Sequence, residues 1–481
     1  MANVLTAQSS AGGRLRANCL NFWELLAQAI ALISPTMTAA LIVPVMFANA
    51  GNGSWLAYAF GTVMLLFVAF NLNEFAKRST TSGSMFAYAT RGIGPTAGGL
   101  TGWCLIWSYL FIGIAGLTGF ANFANVLVGM LPGHHWIPCT LLFAICAGIS
   151  WILAYRDIQL STILMLILET VSVAFIVVLA AIVFLHLGSP IDMDQIKLKG
   201  ASFSNMGFGV VVAIFSLVGF ECATAFGDEA KNPLKTIPKA VIWSLLLTGV
   251  FFVFVTYMEV YGVRGSKTTL DSMTAPLNTL AAMMHVGWLS IPISIGAMIS
   301  FFSLNLSCMN ACARIIYPMG RHGVFHASVG QAHDGNKTPH VAVTVAALLM
   351  FAIAAGLEKW HPLVTDVFGY AGTFGAFGFL AAYFFISVAA PMYLKKIGEL
   401  TPKHIVVSAI AVILLLVPAV GSVYTNPPLT PPVKYFPYVF LGYFAIGLIW
   451  LTALKRRAPQ VFSSITTDLE TTAPAHYAPA G

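Results

Sequence analysis

The chain has 481 residues, of which 58% are hydrophobic and only 9% charged, against roughly 25% charged residues in an ordinary soluble protein. So apolar a composition describes a multispanning membrane protein and excludes a soluble enzyme or binding domain. The net charge of +7 lies in short segments between apolar runs, so no nucleic-acid partner is expected.

Residues 1–20 are polar and rich in small side chains, and are read as a cytoplasmic tail without fixed structure rather than a cleavable leader. Twelve apolar spans then follow, at about 22–50, 55–75, 98–125, 136–154, 160–187, 207–230, 239–262, 288–317, 340–357, 363–391, 404–423 and 435–454. Five spans and five more fill 21–190 and 191–395 as two inverted repeats. The last two spans, within 396–457, lie outside them, and 458–481 forms a second polar tail. Of the 24 lysines and arginines, all but Lys197, Lys199, Arg264, Lys267, Lys359 and Lys434 fall on one side if both termini are cytoplasmic. That bias sets the expected orientation in a bacterial inner membrane.

The first span is interrupted by Ile33-Ser34-Pro35-Thr36-Met37-Thr38. Pro35 lacks an N–H and disturbs the preceding turn, and Ser34, Thr36 and Thr38 can bond the freed backbone. An outer half-helix starting near Ala39 would aim its N-terminus, with free N–H groups, at mid-membrane, which suits a substrate carboxylate. A plain proline kink is the competing interpretation.

Glu169, in the fifth span, is either a proton carrier or a helix–helix hydrogen-bonding group. The sixth span is interrupted at Phe215-Ser216-Leu217-Val218-Gly219-Phe220-Glu221. Gly219 permits an unwound turn, and Phe215 and Phe220 are flat groups able to close over a ligand or simply to pack. Glu221 is ionisable at mid-membrane depth and is a functional candidate on that ground. Matching breaks in two five-span halves point to a substrate site at the middle of a transporter.

Glu24, Glu259 and Asp366 lie near span ends and are expected to meet water. Span 8 carries Ser300, Ser303, Asn305, Ser307 and Asn310, polar groups that join helices, with Ser303 and Ser307 as candidates to line a sodium site. Gly369, Gly372, Gly375 and Gly378 give span 10 a face for tight helix contact. The seven cysteines form no Cys-x-x-Cys pair, and Cys308 and Cys312 are read as packing thiols. No phosphate-cradling loop, metal-ligand pair or nucleophile elbow occurs, so neither an enzyme nor a nucleotide-driven pump is expected, and no cofactor or metal.

Three stretches carry a family resemblance. They are Ser82-Gly83-Ser84-Met85-Phe86-Ala87-Tyr88 with Gly92 and Gly94; Gly219-Phe220-Glu221 through Asp228-Glu229-Ala230-Lys231-Asn232-Pro233 to Ile237-Pro238; and Ala313-Arg314-Ile315-Ile316-Tyr317 with Arg321-His322-Gly323 and Thr338-Pro339. With them the chain resembles the amino acid–polyamine–organocation permeases over residues 20 to about 455. The resemblance implies an all-α fold of twelve membrane helices, two inverted five-helix repeats of the LeuT-like kind with broken helices 1 and 6, plus two more. It further implies binding of an amino acid's α-carboxylate and α-amine at the breaks, with Phe215 as an aromatic gate and Glu221 as the acidic residue beside it. His322 replaces an acidic residue usual in that loop, and Met37-Thr38-Ala39 stands for the family's Gly-Ser-Gly. Several proton-coupled members keep a lysine in span 5, and none lies between Arg156 and Lys197. A proton would then ride on Glu169 or Glu221.

The expected function is secondary transport of an amino acid or related small amine, as a proton symporter, with spans 1 and 6 rocking against spans 3, 4, 8 and 9. Sodium is the alternative coupling ion. A polyamine or amino-alcohol carrier on the same fold is the near rival, and a transport-inactive sensor the distant one.

Overall fold

The computed structural model describes residues 17–79, 83–133, 135–156, 158–361, 363–424 and 431–471. Apart from one isolated backbone bridge, the regular structure among these residues is helical. Eleven helical runs are long and apolar enough to cross a membrane. The first of them, Phe22–Ala76, holds two expected spans joined by a single turn at Gly51–Gly53.

In chain order the helices are α1 (Phe22–Ile33), α2 (Pro35–Met37), α3 (Val43–Ala50), α4 (Ser54–Ala76), α5 (Ser84–Gly92), α6 (Pro95–Gly129), α7 (Cys139–Arg156), α8 (Ile158–Leu187), α9 (Met193–Ile196), α10 (Phe203–Leu217), α11 (Pro233–Gly262), α12 (Pro276–Met283), α13 (Ser290–Arg321), α14 (His340–Trp360), α15 (Val364–Lys396), α16 (Pro402–Gly421), α17 (Phe436–Arg457) and α18 (Pro459–Thr471). Local chemistry sets several starts. The Asn21 side chain accepts the N–H groups of Trp23 at 2.8 Å and Glu24 at 3.2 Å, and the Glu24 carboxylate accepts the Asn21 N–H at 2.6 Å. That capping box explains an acidic residue at the mouth of an apolar helix. A proline occupies the first turn of α6, α11, α16 and α17, where its missing N–H costs nothing.

At the centre, α6 packs along α13 and α15, and α13 along α6 and α8. Around them α7 lies against α14, α4 against α11, α1 against α11 and α8, and α10 against α4 and α15. The glycines of α15 make the closest of these contacts possible. A Cβ on Gly375 would sit 2.7 Å from Ile112, and one on Gly378 would sit 2.2 Å from the Ser108 hydroxyl of α6. The fourth of that set, Gly369, faces open space.

Residues 1–16 and 472–481 of the two polar tails lie outside the described residues, as do 80–82 with Ser82. Where the ends are described they are ordered, contrary to expectation. Leu20 pairs with Ala230 and is buried. Residues 459–471 are helical, because Phe462 and Ile465, three apart on one face, are buried where α18 meets α5, α6 and α17.

Candidate functional site

Both interruptions are real breaks. α1 stops at Ile33, and Ser34 takes a left-handed conformation at φ 51°. Its N–H closes the last turn on the Ile30 carbonyl at 2.8 Å. The next half-helix starts at Pro35, four residues earlier than the expected Ala39, and widens into a π-turn over Thr38–Ile42. Met37, Thr38 and Ala39 are therefore helical, and the unwound point is Ser34. The proline decides this: it favours the first helical position and disfavours a helical conformation in the residue before it. In the sixth span α10 ends at Leu217, and Gly219 follows at φ 115°. A Cβ on Gly219 would lie 2.3 Å from Leu32 and 3.0 Å from the Ile33 nitrogen. The two breaks thus touch, backbone to backbone, and only glycine allows the approach.

Each break is met by one fully buried carboxyl. Glu221 accepts the Gly219 N–H at 3.0 Å, the Tyr383 hydroxyl of α15 at 2.8 Å and the Tyr109 hydroxyl of α6 at 3.2 Å. It therefore ties the second break to α6 and α15. Glu169 of α8 accepts the Thr36 N–H at 3.0 Å, the Thr36 hydroxyl at 3.1 Å and the Ser300 hydroxyl of α13 at 2.5 Å. Ser34 and Ser300 are joined at 2.8 Å, and Thr36 and Ser172 at 2.7 Å. The Glu169 carboxyl thus takes the Thr36 N–H at a helix start, where partial positive charge favours an acidic group. A cavity of about 320 Å³ adjoins it, lined by Ala27, Ile30, Pro35, Glu169, Thr170, Val173, Leu247, Thr248 and Phe251.

The other expected residues divide. The Phe215 ring lies on Gly372, where a Cβ would come within 2.1 Å of it, and against Phe368, centroids 5.6 Å apart. Phe220 packs on Tyr383 at 5.4 Å. Ser216 is turned to α4, where its hydroxyl meets that of Tyr58 at 2.8 Å. Ser307 accepts the Gln28 amide at 2.6 Å and returns a bond to the Gln28 carbonyl at 3.1 Å, so it joins α13 to α1. Ser303 and Thr38 are buried with no partner among the described residues. Met37 is packed in the main apolar core, and Ala39 in a separate cluster with Val43, away from the break. Asp366 is half-exposed, as expected of a span end. Glu259 is not, because it is wholly buried. Its place near a helix end suggested water, but the packing of α11 against neighbouring helices removes it.

Tyr109, Tyr383 and Gln28 carried no sequence signal. Single polar groups in apolar helices stand out only once the fold shows what they meet. The three stretches behind the family resemblance converge on one face instead. Arg314 is buried against Glu229, at 2.6 Å and 2.9 Å, with its guanidinium 4.5 Å from the Phe226 ring. Ser84 meets Thr224 at 2.6 Å, and the Cys19 and Leu20 N–H groups donate to the Glu229 carbonyl. This assembly holds the segment after the second break to α5, to α13 and to the chain before α1.

Comparison with known proteins gives the family. Residues 24–458 match the family model described as amino acid permease. Among similar proteins, the branched-chain amino acid permease BcaP of Bacillus subtilis is 26% identical over 73% of this chain and 76% of its own. The low-affinity putrescine importer PlaP of Escherichia coli K12 is 24% identical over 69% and 72%. The gamma-aminobutyric acid permease of B. subtilis is 25% identical over 74% and 75%. With a family match over residues 24–458, the chain is a transporter and belongs to the amino acid permease family.

Proposed function

We propose that this permease is a secondary carrier of an amino acid or related small amine across the bacterial plasma membrane, working by alternating access and driven by protons. The observation that carries the reading is the meeting of two broken helices, each with a buried carboxyl at its break. Irregular backbone at membrane depth persists where it lines a protected site. Glu221 and Phe215 receive the ammonium, and Gly219 lets the broken segments move. Glu169 carries the coupling proton, since it bonds both the first break and α13, against which that break must move.

The packing supports twelve crossings in two inverted repeats. If partners are taken five spans apart, the contact of α6 with α15 answers that of α13 with α8. Likewise α6–α7 answers α13–α14, α1–α11 answers α10–α4, and α1–α8 answers α10–α15. Counting Phe22–Ala76 as two crossings and keeping both termini cytoplasmic places most lysines and arginines inside.

One observation favours the amine-carrier reading. The Thr36 N–H, a donor that a substrate carboxylate would use, is already taken by Glu169. A substrate with no carboxylate needs only Glu221 and the aromatic cover. Counterflow with labelled amino acids and diamines decides between them. Saturable exchange of amino acids alone supports the first, and exchange of diamines alone the second. Binding without exchange for every compound rejects the carrier reading.

A further inference from the structure

Glu259 of α11 is a buried carboxyl that neither break uses and that, unlike Glu229, pairs with no cation. It is 0% exposed, and neither oxygen has a hydrogen-bond partner among the described residues. Thr256, one turn earlier on the same face, is equally buried, and its hydroxyl is equally unpartnered. Around them lie Val255, Met258, Val260 and Val263, all apolar and buried. A carboxylate here would surrender its hydration and gain nothing in exchange, whereas the neutral acid loses far less.

No nearby charge offers compensation. Arg264, five residues on, is committed to Asp192 and Asp194, at 2.7 Å each. On α4, the titratable group facing α11 is Tyr58, whose ring packs on Phe252 with centroids 5.5 Å apart, two turns before Glu259. Among the described residues, α1, α2, α3, α8, α10 and α12 also pack against α11 and bring no hydrogen-bonding partner to Glu259. Two features then link this carboxyl to motion. Tyr58 is bonded to Ser216, three residues before Gly219 of the second break. A strap closes over the end of α11: the Tyr257 hydroxyl accepts the Asp192 N–H at 2.6 Å and donates to the Pro190 carbonyl at 3.1 Å. Arg264 adds its two ion pairs and a bond to Asn52 at 3.2 Å.

We propose that Glu259 is a proton-binding site separate from both breaks, which keeps its proton while the strap over α11 is closed and releases it when that face opens to water. On opening, the acid's O–H bond breaks, its electron pair stays on the carboxylate and the proton passes to a water molecule. The closed form binds the proton more tightly than the open one, so acid on that side holds the face shut and alkali frees it.

Infrared spectroscopy of the purified full-length protein tests this without any substrate. The difference between wild type and Glu259→Gln at neutral pH should contain the C=O band of a protonated carboxyl. Arg264→Gln, which loosens the strap, should make that band disappear at a lower pH than in wild type. If Glu259→Gln does not fold, Glu259→Asp should shift the band. A carboxylate band alone at neutral pH overturns the proposal, as does a protonated band that Arg264→Gln leaves unmoved at every pH. The transport consequence rests on the carrier reading: counterflow should slow as the bath on the strap side is acidified, and Glu259→Gln should abolish that dependence. If the infrared result holds and no compound exchanges, the proton site stands and the carrier reading falls. If counterflow proceeds with the same pH dependence in Glu259→Gln, the gating role falls.

Discussion

Glu221 gathers the Gly219 N–H and two tyrosine hydroxyls from separate helices. Replacing it with glutamine keeps its shape but removes an acceptor and the charge that attracts an ammonium. Glu221→Gln is expected to abolish or strongly reduce uptake with near-normal expression, and unchanged uptake in vesicles across the pH range would remove its role. Phe215 lies flat on Gly372. If it covers a bound ammonium, Phe215→Ala forfeits about 0.5–2 kcal/mol, a roughly two- to thirtyfold rise in half-saturating concentration. An unaltered saturation curve would make it core packing only. At Gly219 the left-handed φ and the contact with Leu32 act together. Gly219→Ala should cost about 1–3 kcal/mol in strain, seen as a lower midpoint of thermal unfolding in detergent, with transport lost. These residues differ in legibility. Gly219, Phe220 and Glu221 announce themselves by type and spacing, whereas Tyr109 and Tyr383 are ordinary aromatic residues until folding brings both hydroxyls to one carboxyl.

Among elements, the hinge between α1 and α2 and the helix α8 form one unit, because Glu169 bonds the Thr36 backbone directly. If its proton drives uphill movement, Glu169→Gln should leave counterflow intact while abolishing accumulation under an inward proton gradient. Equal accumulation by the variant would take Glu169 out of coupling. The join of α13 to the segment following the second break depends on a buried ion pair, Arg314 with Glu229. Removing one member strands the other charge, at a cost of roughly 3–5 kcal/mol. Arg314→Met should therefore lower the unfolding midpoint far more than the paired change Arg314→Met with Glu229→Gln, and equal losses would show that the pair is not the source of stability. The helices themselves were visible in the apolar runs. The ordered α18 was not, because its buried face depends on α5 and α6, which are distant in sequence.

For the molecule as a whole, proton drive predicts accumulation in sodium-free liposomes when an inward proton gradient is imposed. Accumulation that requires sodium and ignores the gradient would transfer the coupling to another site, with the unpartnered Ser303 the first place to look. Residue order alone is enough to identify a membrane transporter. Long apolar runs have one stable environment, since backbone groups in lipid must bond within a helix, and breaks in two of them leave polar backbone that needs a protected interior. It also determined the family, through three motifs whose residue types are specific. Which polar groups face each other becomes visible with the packing of the helices. Glu169, Glu221 and Glu259 are each a lone carboxyl in an apolar run, and sequence separates them only by depth and by the break beside Glu221. Packing gives Glu169 a helix start, Glu221 two tyrosines and Glu259 nothing, because partners more than a hundred residues away are set by how helices cross and not by the sequence around each glutamate.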